Sequence, residues 1–196
     1  MWQTDIAVSV QSLFISIKNY NRTSLFNEMS DYHFCLNKLK TSVDKYGCQL
    51  HAYALLPNQI LLFASSEQGV PAIHAIEQFE RGYEQYSNFT YRRLQSKLEL
   101  HYSMVPVDTE RHVLTYYRYI ELAPLRAGLT EHPADYPWSS YGHNAMGEDA
   151  GLVVPHPRYL QLGLDDESRR QMYRQLCVLY PASVTLVNPE PLRSVK

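Results

Sequence analysis

Arg81, Arg92, Arg93 and Lys97 are interleaved with Tyr83, Tyr86 and Tyr91. Cations hold phosphates and aromatic rings stack unpaired bases, each stacked base contributing ~1 to 3 kcal/mol, so this mixture suits single-stranded nucleic acid. The same residues also suit a solvated helix end with packing tyrosines. A second stretch, Tyr116-Tyr117-Arg118-Tyr119, presents phenols. A free phenol titrates near ~10, so at neutral pH it becomes a useful nucleophile only beside a base or an activated phosphate. With 16 tyrosines in the chain, that cluster also fits packing. His74, His101 and His112 include no pair with ligand spacing on one element. His51 alternates with the apolar Leu50 and Ala52, which suits a structural hydrogen bond. Cys35, Cys48 and Cys177 are odd in number and widely spaced, so they read as ordinary thiols.

The 196 residues, 45% of them apolar, suffice for one compact domain, expected over residues 1–180, with a loosely held tail over 181–196. The formal net charge is -2. A basic domain is the usual footprint of a nucleic-acid binder, so any such role here must rest on a local patch. The first residues lack a basic region followed by an apolar run, and Ile60 to Ala64 is far too short to span a bilayer. A soluble cytoplasmic protein is expected.

These residues must be positioned by alternating strands and helices. Val8 to Lys18 alternates apolar and polar positions and predicts a strand ending at the Asn19-Tyr20-Asn21 turn. Asn27 to Tyr46 carries Phe34, Leu36, Leu39 and Val43 near helical spacing, with Ser30 or Asp31 as cap and Gly47 as stop. Gln49 to Phe63 reads as two strands joined at Pro57-Asn58. Val70 to Asn88 follows as a helix with Pro71 in its first turn. Glu99 to Val105 suggests a further strand. Thr109 to Leu122 reads as a helix capped by Asp108 or Thr109 and ended by Ala123-Pro124. Asp165 to Leu179 predicts a terminal helix. The order fits an α+β fold, an antiparallel sheet with helices packed on one face.

The blocks Tyr119-Ile120-Glu121-Leu122-Ala123-Pro124-Leu125-Arg126-Ala127-Gly128 and Asp135-Tyr136-Pro137-Trp138-Ser139-Ser140-Tyr141 resemble the catalytic helix and following loop of REP-associated tyrosine transposases. These belong to the HUH single-tyrosine transposases. Asp31-Tyr32-His33-Phe34 and Tyr46-Gly47-Cys48-Gln49-Leu50-His51-Ala52-Tyr53 extend the resemblance over roughly residues 14–178. It implies a ferredoxin-like sheet with a helical extension at its C-terminal end. It also implies that Tyr119 stands where relatives carry the nucleophile that attacks a DNA phosphate.

The same resemblance implies a metal site that this chain lacks. Relatives hold a divalent cation such as magnesium or manganese with a His-hydrophobic-His pair, where Gln59 and Leu61 stand here. Strand positions i and i+2 share a face and can share one cation, which would polarise the scissile phosphate. Leu61 cannot ligate, and Gln59 offers one neutral oxygen. The polar helical ligand of relatives is Ala123 here. No bound cofactor or metal is therefore expected. The Gly-x-Leu-Trp-x-x-Arg stretch of relatives is also missing from Gln95 to His101. Lys18, Arg22, Arg118 and Arg126 join Arg81, Arg92, Arg93 and Lys97 as candidate phosphate contacts. The leading expectation is a domesticated transposase relative that binds hairpin or single-stranded DNA as a monomer or homodimer without metal-dependent cleavage. The alternatives are an active tyrosine transposase cutting and joining single strands, and a protein-interaction module without DNA binding.

Overall fold

The computed structural model describes residues 10–20, 24–67, 69–92, 97–107, 110–149, 151–179 and 193–194. The elements run β1 (Val10–Asn19), α1 (Met29–Lys45), β2 (Gln49–Leu56), β3 (Gln59–Glu67), α2 (Val70–Thr90) and β4 (Leu100–Pro106). They continue with α3 (Glu110–Glu121), α4 (Ala123–Arg126), α5 (Pro157–Leu160), α6 (Asp166–Leu179) and the two-residue β5 (Arg193–Ser194). The strands form one sheet in the order β2-β3-β1-β4-β5, and every neighbouring pair is antiparallel. β1-α1-β2 and β3-α2-β4 are two interleaved strand-helix-strand units, the ferredoxin-like arrangement. Because such crossovers are overwhelmingly right-handed, both helices land on one face.

That face buries Leu13, Ile15 and Ile17 of β1 against Leu39 and Val43 of α1 and Ile76, Phe79 and Tyr83 of α2. α1 begins at Met29, one residue before the first of the two expected caps, with Glu28 as its cap residue. Asp31 instead caps from inside the first turn, its carboxylate accepting the backbone N–H of Asn27 at 2.7 Å and of Glu28 at 3.1 Å. Gly47 ends the helix as expected, with φ at +65°, a conformation that costs glycine nothing. The expected caps of α3, Asp108 and Thr109, lie outside the described residues. So does the expected tail, apart from the two residues of β5, which pair with Ser103 and Met104.

The expectation of helices on one face holds for α1 and α2 but leaves the other face open. The structure covers it with α3, the loop after it, and α6. Ala52, Ala54, Leu61 and Phe63 on that face pack with Val113, Tyr116, Tyr117 and Ile120 of α3 and with Tyr173 and Cys177 of α6. The reason is chemical: β2 is buried from Leu50 to Leu56 and β3 from Ile60 to Ser66, without the polar alternation of a sheet that faces water on one side.

His51 is the extra residue of a bulge in β2, where pairing with β3 skips from Leu50 to Ala52. Its Nδ1 faces the Val154 carbonyl at 2.7 Å and must carry the proton, so its Nε2 accepts from the Ser65 hydroxyl at 2.8 Å. This is the structural role expected for it. Burial, assisted by His156, draws its pKa from 6.5 to about 4. The neutral ring is therefore a stability element. Its contribution is complete above pH 6.5 and is lost as pH falls toward 4, because the unfolded chain takes up the proton first. His51→Gln keeps a donor and an acceptor but cannot titrate. The stability gap between wild type and this variant, read from urea unfolding, should shrink by about 3 kcal/mol between pH 7 and pH 4.

Candidate nucleic-acid interface around Tyr119

Tyr119 lies near the C-terminal end of α3, on the face of the sheet away from α1 and α2. Phe14 of β1 supports it, edge to face, with ring centroids 5.7 Å apart. The opposite neighbour of Phe14 is Tyr116, stacked at 5.1 Å. The expected end of the helix at Ala123-Pro124 is a one-residue interruption rather than a stop. Pro124 has no N–H for the ladder, yet the chain resumes a helical turn as α4 and ends before Gly128. That extra turn brings Arg126 back over Tyr119. The guanidinium carbon stands 4.4 Å from the ring centroid, and the same group donates to the Tyr119 carbonyl oxygen. Burial draws the Arg126 pKa below its ordinary value, an effect Tyr119 partly offsets.

The three positions expected to be ligands in relatives gather beside this pair as packing. Leu61 is 2% exposed and Ala123 5% exposed, both inside the apolar cluster between sheet and α3. Gln59 points to the same face, and its amide N–H donates to the Ser16 hydroxyl at 2.8 Å. Two aliphatic side chains and one engaged amide do not fit a divalent cation, which needs several anionic or carbonyl oxygens. Among the described residues, no group of three or more His, Cys, Asp or Glu is placed to hold a metal. What the arrangement offers a phosphate is a guanidinium above a phenol, with the exposed Lys18 one strand away as the cross-strand neighbour of both Gln59 and His101.

The other candidate cations separate into two groups. Arg118 turns toward α6, where its guanidinium donates to the Leu114 and Leu176 carbonyls at 3.3 and 3.2 Å, so it ties two helices together. Arg81 belongs to α2, across the sheet from Tyr119, and Arg92 and Lys97 belong to the connection between α2 and β4. Arg81 lines a cleft shared with Glu77, Glu80 and Glu99, a poor setting for phosphate. The tyrosines among them are packing groups: Tyr83 is fully buried and donates to the Leu25 carbonyl, while the Tyr86 and Tyr91 hydroxyls donate to Asp31. Arg22 and Arg93 lie outside the described residues.

Sequence reasoning missed the group that holds α3 in place. Glu121 is completely buried and accepts three hydrogen bonds, from Ser140 Oγ at 2.5 Å, Asn144 Nδ2 at 2.6 Å and the Tyr173 hydroxyl at 2.6 Å. Ser140 in turn accepts the Tyr53 N–H of β2, and Asn144 donates also to the His51 carbonyl. The signal was present: a carboxylate on the apolar side of α3, two residues after Tyr119. Burial pushes its pKa up, and the three hydrogen bonds pull it back, leaving it at about 7.

On the fold and this site the molecule is a ferredoxin-like sheet protein carrying a tyrosine on a helix laid across its second face. Among solved structures, the chain is similar to a REP-associated tyrosine transposase bound to a REP hairpin, with 14% identity and a TM-score of 0.54 over 74% of this chain and 82% of that one. A protein named as a transposase from Deinococcus radiodurans overlaps more loosely, with 15% identity and a TM-score of 0.42 over 62% of this chain and 96% of that one. The first likeness establishes a shared fold. No family model and no curated protein sequence matches the chain. Among the described residues, no helix is long and apolar enough to cross a membrane.

Glu121 sets a second pH-dependent term, opposite in sign to that of His51. Its folded pKa lies above the unfolded carboxylate value near ~4.5, so its contribution is complete below that value and is lost as pH rises through about 7. In Glu121→Gln the three donors face an amide that can accept only at its oxygen, which should cost about 1–3 kcal/mol. The gap between wild type and this variant should be widest near pH 4.5 and narrow as pH approaches 8. Urea unfolding across that range measures it.

Proposed function

We propose that this protein is a transposase relative that binds hairpin or single-stranded DNA along the Tyr119 face and no longer uses a metal to cut it. The observation that carries this reading is the contrast at one place in the fold. Tyr119 keeps a guanidinium directly over its ring, while Gln59, Leu61 and Ala123 have become packing and a hydrogen bond to Ser16. Tyrosine, arginine and lysine serve phosphate positioning and base stacking without any metal. The likeness of fold to a transposase bound to a REP hairpin supports DNA as the partner. It also agrees with the resemblance of the blocks from Tyr119 to Gly128 and from Asp135 to Tyr141.

Binding is read by gel shift or fluorescence anisotropy with labelled hairpin and single-stranded DNA at low salt. Arg126→Ala should weaken it roughly tenfold, the loss of about 1.4 kcal/mol. Lys18→Ala should lower the slope of log affinity against log salt by about 0.7, the loss of one phosphate contact on a single strand. Arg81→Ala should leave binding unchanged, because α2 stands on the opposite side of the sheet. Absence of binding at micromolar protein overturns the proposal and favours a protein-interaction module.

A second reading, an active tyrosine transposase, draws on the Tyr119–Arg126 contact. A cation beside the tyrosine is the kind of neighbour that steadies charge on an attacked phosphate. In that case the Tyr119 oxygen would bond to phosphorus as the bond to the departing strand oxygen breaks and that oxygen takes up a proton. Incubation of labelled single-stranded DNA with magnesium or manganese tests it. Our expectation is no covalent protein–DNA adduct in wild type. An adduct that disappears in Tyr119→Phe would establish the enzyme.

A further inference from the structure

At the other end of α3, about 14 Å along the helix from Tyr119 at ~1.5 Å per residue, lies a cleft of about 720 Å³. That size is within the range of small-molecule sites, about 300–1,000 Å³. It is bounded by the starts of β1 and β2, the end of β3 and the first turns of α3 and α5. None of the candidate DNA contacts, nor Tyr119, Gln59, Leu61 or Ala123, lines it.

The polar groups of the cleft fall into two sets. The first is an oxyanion set. Arg158 is held at its edge by Gln161 and by Glu110, whose carboxylate stands 3.5 Å from the guanidinium and is 75% exposed. The Arg158 Nε is buried yet has no hydrogen-bond partner among the described residues. Ser12 lies within reach of His156, its hydroxyl 3.2 Å from the imidazole Nε2. The tautomer follows from the backbone: His156 Nδ1 accepts the Arg158 N–H at 3.1 Å, so Nε2 bears the hydrogen and donates to Ser12. The Ser12 hydroxyl is then left as a donor directed away from the imidazole. His156 is therefore an orienting group here and not a base for Ser12. The neighbouring Ser65 is unavailable, since its hydroxyl donates to His51.

The second set suits a flat heteroaromatic ring. Gln49 brings an amide donor and acceptor, Gln161 brings an amide N–H donor while its oxygen holds Arg158, and Val107, Val113 and Pro157 supply apolar wall. Side-chain amides match the paired donors and acceptors on base edges. Apolar walls match base faces.

We propose that this cleft binds a nucleoside monophosphate, the phosphate at Arg158 and Ser12 and the base against the valine wall with its edge on the glutamine amides. The shared chemistry is a phosphomonoester on a nucleoside, carried either by a free mononucleotide or by the phosphorylated end of a strand. Glu110 opposes the phosphate and must swing outward when it enters, which its exposed position allows. The site stands or falls separately from the Tyr119 surface, because no residue is common to the two.

Calorimetric titration of the full chain with AMP, CMP, inorganic phosphate and a dinucleotide with or without a 5′-phosphate tests the assignment. Wild type should bind AMP or CMP saturably below ~1 mM and bind inorganic phosphate at least roughly tenfold more weakly. Arg158→Gln should weaken nucleotide binding roughly tenfold or more, as expected for loss of a charge-assisted contact, and Ser12→Ala by a few-fold. Glu110→Gln should tighten it by a few-fold, a gain that misfolding cannot produce. Tighter binding of the phosphorylated dinucleotide than of AMP assigns the site to strand ends, and the reverse assigns it to free nucleotides. The proposal is overturned if wild type shows no saturable nucleotide binding, if inorganic phosphate binds as tightly as AMP, or if Arg158→Gln and Glu110→Gln retain wild-type affinity. The DNA gel shift with Arg126→Ala is unaffected by any of these results.

Discussion

The second face of this molecule depends on one buried carboxylate. Glu121 has no cation beside it among its hydrogen-bond partners; a serine, an asparagine and a tyrosine from the following loop and from α6 satisfy it. A buried carboxylate without such donors would cost several kcal/mol. The loop from Ser140 to Asn144 and helix α6 therefore have to close over it. Ser140 and Asn144 pass the constraint on to β2, through the Tyr53 N–H and the His51 carbonyl. The helix bearing Tyr119 is thereby registered against the sheet by polar contacts, in addition to its apolar face.

That registration holds α3 in place independently of which side chains stand at positions 61 and 123. α3 needs Val113, Tyr117 and Ile120 against the sheet, and residues 61 and 123 fill the space beside them. Leucine and alanine fill it better than polar ligands, whose buried donors and acceptors would need partners. Tyr119 is different, because its ring is a packing group for Phe14 and its carbonyl a partner for Arg126. It has structural reasons to remain that are independent of any reaction at its hydroxyl. The two pH-dependent terms of this face, at His51 and Glu121, stand on either side of the same loop and oppose one another in sign.

Much of the frame was legible in the chain. Alternation in β1, helical spacing in α1 and α2, and the turn at Pro57-Asn58 all reflect local rules, and the elements fall within a few residues of their expected bounds. The double-sided burial of β2 and β3 was legible too, in runs such as Ile60 to Ala64 that lack polar alternation, but it does not say what covers them. At the site, the weak ligating chemistry of Gln59, Leu61 and Ala123 could be read from residue type alone. The grouping of cations could not. Arg81 resembles Arg126 in sequence, but α2 and α4 lie on opposite sides of the sheet. Tyr86 and Tyr91 looked available for stacking until Asp31, more than fifty residues earlier in the chain, proved to hold both hydroxyls.

The sequence by itself determined the element order, the apolar demand of both sheet faces and the weak ligating chemistry at three positions, because these follow from side-chain type and short-range periodicity. Tertiary structure alone decided which charges meet. The contacts of Arg126 with Tyr119, Arg118 with α6, Glu121 with its three donors and Arg158 with its cleft depend on where each helix docks. Docking is set by burial summed over many residues, and no local pattern encodes it.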